Sequence, residues 1–134
     1  MSRARILIVE DDVDLLRLLQ TALEGEGYHV ACASNVPQAL QATREARPDL
    51  LLLDLTLLDA DPFAGVTDGF AFLNMIRRTY PDLKAPVLIH SGDDSSQTAA
   101  HARSLGVFAV LRKGCAVGDI LSAVQLALLE ASQT

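Results

Sequence analysis

Short apolar runs alternate with stretches of helical spacing along the whole chain. Ile6-Leu7-Ile8-Val9 is continuous and rich in branched side chains, which predicts a strand buried on both faces. From Val13 to Leu23 the apolar positions Leu15, Leu16, Leu19, Ala22 and Leu23 fall at helical spacing, and Gly25 and Gly27 mark the stop. Tyr28–Cys32 reads as a second, weaker strand. Ser34 or Asn35 can cap a helix that has Pro37 in its first turn and is closed by Pro48. Leu50–Leu53 is the most apolar strand. A long loop follows, then a helix near Asp68–Thr79 carrying Phe70, Leu73, Met75 and Ile76. Pro86–His90 predicts a fourth strand, Ser95–Ser104 a polar helix ended by Gly106, Val107–Leu111 a fifth strand and Asp119–Ala131 a closing helix.

The unit strand–helix therefore repeats five times. Strands buried on both faces and separated by helices imply an α/β fold: a parallel sheet sandwiched between helices. Right-handed crossovers leave few topologies. For this length the natural one is the doubly wound five-stranded sheet of order 2-1-3-4-5, a (βα)5 flavodoxin-like three-layer sandwich.

A chain of 134 residues fits one compact domain, and no second module such as a DNA-binding or catalytic domain is expected. The expectation is a single domain over 1–134. Apolar residues make up 50 %, enough for a well-buried core. A net charge of −6 disfavours phosphate backbones and anionic lipid, so neither nucleic acid nor membrane is expected as partner. Two cysteines, Cys32 and Cys115, make no disulfide framework, and no apolar run is long enough to span a bilayer. A cytoplasmic location is the simpler reading.

Chemistry gathers at the strand C-termini. The first strand ends in Glu10-Asp11-Asp12, the third in Asp54, the fourth in Ser91, and the fifth runs into Lys113. In an open parallel sheet, ligands bind outside these ends, where the strand order reverses. That point lies between strands one and three, so their acids would meet. Two unit charges 4 Å apart repel by about 4 kcal/mol at an effective dielectric near 20. Either one acid takes a proton or a hard cation binds. Mg2+ accepts one or two carboxylates and leaves room for phosphate oxygens. Those oxygens would suit the Ser91 hydroxyl and the Lys113 ammonium. The set fits phosphoryl transfer, with Asp54 as nucleophile.

At these residues the chain resembles the receiver domain of two-component response regulators. The matching pieces are Ile6 to Asp12, Leu50 to Leu55, Asp68-Gly69-Phe70, Val87 to Gly92 and Leu111-Arg112-Lys113. Each alone is weak, but five in order, each on its predicted strand end or helix start, are specific. The resemblance implies that Glu10 and Asp11 hold Mg2+, with Asp11 a direct ligand, and that the Thr56 carbonyl completes a metal site shared with Asp54. It implies that Asp54 is phosphorylated from a sensor histidine kinase or histidine phosphotransfer protein, and that Ser91 and Lys113 contact the phosphoryl group. The protein would catalyse its own phosphorylation and dephosphorylation but act mainly as a switch.

Four departures qualify the likeness. Gly69 stands 15 positions beyond Asp54, an insertion of about seven residues, roughly 59–66, which a surface loop absorbs at little entropic cost. It could cover the site or recruit a partner. Gly114 follows Lys113 where proline is usual, and because cis bonds are cheap only before proline, a cis Lys113–Gly114 bond is in question, as is the reach of the lysine. Val110 stands at the aromatic switch position; Phe108, two residues earlier on the same face of a regular strand, leaves open whether it substitutes. The positions that tune phosphate lifetime fall on Thr56 and Asp93.

Simpler roles suit several residues. Asp12 is expected to cap the first helix rather than bind metal. Asp59 and Asp61 read as solvated loop acids, Phe63 as either tucked onto the domain or docking a partner, and His29, His90 and His101 as incidental. Cys115 reads as inert. The closing helix buries Ile120, Ala123, Val124, Ala127 and Leu128 but spills Leu121, Leu126 and Leu129 onto other faces. That excess suggests an interaction face. Receivers commonly signal through helix four, strand five and helix five, a face that could also pair two copies.

The leading expectation is a stand-alone receiver that signals through protein contact to an unknown output partner. The competitor is a phosphorylation-independent receiver-like interaction module, motivated by Gly114 and Val110. A flavin carrier fails because no Ser/Thr/Gly-rich phosphate loop follows the first strand. An Asp-x-Asp phosphohydrolase fails because Asp54-Leu55-Thr56 lacks the second acid.

Overall fold

A computed structural model describes residues 3–55, 69–92 and 95–133. Strands and helices alternate as read from the sequence: β1 Arg5–Val9, α1 Val13–Gly25, β2 His29–Ala33, α2 Val36–Glu45, β3 Leu50–Asp54, α3 Gly69–Thr79, β4 Val87–Ser91, α4 Ser96–Ser104, β5 Ala109–Arg112 and α5 Val117–Ala131. All neighbouring strands pair parallel, in the order β2-β1-β3-β4-β5.

The central strands need two apolar faces, and the core divides accordingly. Leu7, Val9, Leu51, Leu53, Val87 and Ile89 pack with Phe70, Phe72, Leu73 and Ile76 of α3. Ile6, Ile8, Leu50, Leu52 and Leu88 pack with Leu19 and Leu23 of α1 and Ile120, Val124 and Ala127 of α5. This strict alternation is the period-two signature of a strand covered on both sides.

Local chemistry sets the helix starts. Asp12 caps α1 by accepting from the Asp14 and Leu15 amides, Asn35 caps α2 through the Gln38 amide, and Ser95 caps α4 through the Thr98 amide. Asp12 thus has the capping role expected of it. Asn35, not Ser34, is the cap of α2, with Pro37 in its first turn. The insertion at 59–66, with Asp59, Asp61 and Phe63, lies outside the described residues.

Several boundaries shift by one or two residues from the sequence reading. β5 begins at Ala109, not Val107, and α5 begins at Val117, not Asp119. The later start of β5 matters. Phe108 lies in a bend before the strand, so the alternation that put it on the face of Val110 does not apply. Val110 packs against the α3 side and Phe108 against the α1 and α5 side.

Candidate functional site

Register builds the site. Val9, Leu53, Ile89 and Val110 form one row across the sheet, and one step further Asp54 lies opposite His90, which lies opposite Leu111. Glu10 continues β1 beside Asp54. Because side chains alternate, Glu10, Asp54 and His90 turn to the α1 and α5 side, two residues beyond Ile8, Leu52 and Leu88. Lys113 leaves β5 with its amide donating to the Ser91 carbonyl at 2.8 Å.

The side chains converge. Lys113 Nζ lies 3.2 Å from Asp54 Oδ1 and 3.4 Å from Glu10 Oε2. The Asp12 amide donates to Glu10 Oε2 at 3.2 Å. Glu10, Asp11 and Asp54 each offer a carboxylate oxygen, and these oxygens lie within 4.8 Å of one another. Asp54 and Glu10 are buried, whereas Asp11 is half-exposed at the mouth. Ser91 is buried at the end of β4.

Electrostatics follow from this crowding. Burial, and then repulsion from Asp54, push the Glu10 carboxyl up to about 7. For Lys113, burial works against the charge, but the Asp54 and Glu10 carboxylates outweigh it and hold the ammonium above its ordinary pKa. Lys113 therefore stays charged and neutralises part of the cluster. Three acids answered by one ammonium leave a negative excess that a divalent cation would relieve. The donors are all oxygens, with one carboxylate open to solvent, which suits a hard ion such as Mg2+.

The sequence reading missed His90, a member of an apolar run whose composition gives no sign of a polar role. It is buried, with Nδ1 4.0 Å from Glu10 Oε1 and no hydrogen-bond partner for that nitrogen among the described residues. Burial, and then the Lys113 charge, lower its pKa, which favours the neutral ring. The His101 ring packs on Phe70, with centroids 4.2 Å apart. Thr56 and Asp93 lie outside the described residues. Cys115 is a half-buried free thiol.

Comparison with known proteins agrees with this architecture. A family model of the response regulator receiver domain matches residues 6–125. The transcriptional regulatory protein ZraR of Escherichia coli strain K12 is 34% identical over 123 residues, covering 92% of this chain and 26% of ZraR. The chain spans about a quarter of the length of the curated relatives it matches. Among solved structures, a CheY-like response regulator receiver domain protein from Methanospirillum hungatei superposes with a TM-score of 0.82 at 27% identity, covering 98% of each chain. NtrX from Brucella abortus superposes with a TM-score of 0.85 at 29% identity, covering 98% of this chain and 28% of NtrX. With the family match running from the first residues of β1 into α5, this chain belongs to the response regulator receiver domain family.

Proposed function

We propose that Asp54 accepts a phosphoryl group from a phosphohistidine of a sensor histidine kinase or histidine phosphotransfer protein. Glu10, Asp11, Asp54 and the Thr56 carbonyl would hold Mg2+. The observation that carries this reading is one ammonium set 3.2 Å from an oxygen of a buried aspartate that shares a cluster with two more acids. Such an arrangement neutralises charge where a phosphoryl group would bring more of it.

In the transfer, an Asp54 carboxylate oxygen forms the new O–P bond as the P–N bond of the donor breaks. The bonding pair returns to the imidazole nitrogen, which takes a proton from solvent. The Ser91 hydroxyl and the Lys113 ammonium contact the phosphoryl oxygens. Mg2+, when held by these residues, would supply charge neutralisation for the transferred phosphoryl group. Thr56 and Asp93 tune the lifetime of the acyl phosphate. Val110, with Phe108 on the opposite side of the sheet, leaves the switch position without a ring.

The phosphorylated state signals by protein contact in the cytoplasm, through the face of α4, β5 and α5; Leu126 and Leu129 of α5 are exposed. The same face could pair two copies.

The test is to expose the protein to a small phosphodonor with Mg2+ and weigh it intact. An added phosphoryl group on the wild type, absent from Asp54→Asn, supports the assignment. No adduct on the wild type, or one that persists in Asp54→Asn, favours the phosphorylation-independent module.

A further inference from the structure

The turn that carries Lys113 out of β5 is closed by the Cys115 amide donating to the Arg112 carbonyl at 3.1 Å. Its two central residues are Lys113 and Gly114. Gly114 has φ +97°, and no non-glycine residue among those described has a positive φ, so Lys113 lies on the negative side. Negative then positive φ at the centre of a hydrogen-bonded turn is the type II pattern, which favours glycine at its third position. The Lys113–Gly114 peptide is trans, which answers the question raised by the missing proline. A Cβ added at Gly114 would meet nothing within 4 Å, so the glycine is required for its φ and not for space.

Both ends of this turn are fixed. The Lys113 amide is tied to the Ser91 carbonyl at 2.8 Å, and the chain enters α5 at Val117, whose residues Ile120 and Val124 are buried. We propose that Gly114 is a positioning residue. Its left-handed conformation sets the turn that delivers Lys113 Nζ to Asp54 and Glu10. An L-residue at 114 draws φ negative, toward a type I turn whose central peptide is flipped. With both ends held, the lysine is what gives way. The functional consequence rests on the phosphoacceptor reading; the geometry does not.

The test combines Gly114→Ala and Gly114→Asn with Lys113 intact or changed to Ala, and checks by circular dichroism that each variant is folded. One readout is the rate of Asp54 phosphorylation by phosphoramidate with Mg2+. The other, in metal-free protein, is nitrogen-15 NMR of the Lys113 ammonium, whose protons exchange slowly while it is paired. Gly114→Ala should slow phosphorylation about fivefold to thirtyfold, the population penalty of a left-handed L-residue, and broaden the ammonium signal. Gly114→Asn should recover most of both, because asparagine tolerates this region. With Lys113→Ala in place, changing Gly114 should slow phosphorylation no further, which a general loss of structure would not reproduce. An unchanged ammonium signal in Gly114→Ala, or equal slowing in the Lys113→Ala background, overturns the proposal. If the wild type takes no phosphoryl group, the phosphoacceptor reading falls alone, and the ammonium signal still decides the role of Gly114.

Discussion

Glu10 shows how one buried carboxyl can link pH to stability. Its ordinary pKa of 4.5 applies to the unfolded chain, and burial with the Asp54 charge raises it to about 7 in the fold. Below pH 4.5 both states hold the proton and the group is neutral toward folding. Between pH 4.5 and 7 the unfolded chain releases it while the folded protein keeps it, so stability falls as pH rises. Metal-free protein should therefore melt at progressively lower temperature across that window, and Glu10→Gln should flatten the trend. Thermal unfolding followed by circular dichroism in chelator measures it; an unchanged slope in Glu10→Gln contradicts the assignment. His90 works in the opposite direction: burial, and then the Lys113 charge, lower its pKa below the ordinary 6.5, so the unfolded chain binds that proton more readily and stability rises with pH as it titrates. Neither effect was legible in sequence. Glu10 is one of three adjacent acids, and only register shows that Glu10 is buried while Asp12 is exposed on a cap.

Elements fix what residues alone do not. The amide of Gly69 at the start of α3 donates to the Leu55 carbonyl at 2.8 Å, and a Cβ there would lie 2.6 Å from the Asp54 carbonyl oxygen and 2.8 Å from Leu55 Cα. Both are backbone atoms that cannot move aside, so glycine is what lets α3 press onto the end of β3. Gly69→Ala should destabilise the fold by about 1–3 kcal/mol, the usual range for overpacking, and disturb Asp54; urea unfolding checks the first. At α1, Asp12→Ala should cost about 1 kcal/mol for the lost cap, while weakening Mg2+ binding far less than Asp11→Asn. Equal losses of metal from both would make Asp12 a ligand. The Asp68-Gly69 pair was visible in sequence as a motif, but its reason, a close backbone approach, is a tertiary fact. The placement of Phe108 failed for a related cause. Alternation predicts faces only inside a regular strand, and β5 starts at Ala109, just after Phe108.

At the scale of the molecule the strand order was legible because two periodicities, continuous apolar runs and helical spacing, alternate cleanly and restrict a parallel sheet to few topologies. The order places β1 beside β3, and with it every acid of the cluster. The chain's net charge of −6 adds a general attraction for cations, but the convergence of Glu10, Asp11 and Asp54 is what offers a specific candidate site. Calorimetric titration of Mg2+ into metal-free protein above pH 7 tests that convergence most directly. Saturable binding of one ion, weakened at least about tenfold in Asp11→Asn, a loss of about 1.4 kcal/mol, and tightened in Lys113→Ala, is the predicted result. No saturable heat from the wild type, or the same affinity in Asp11→Asn, would contradict it.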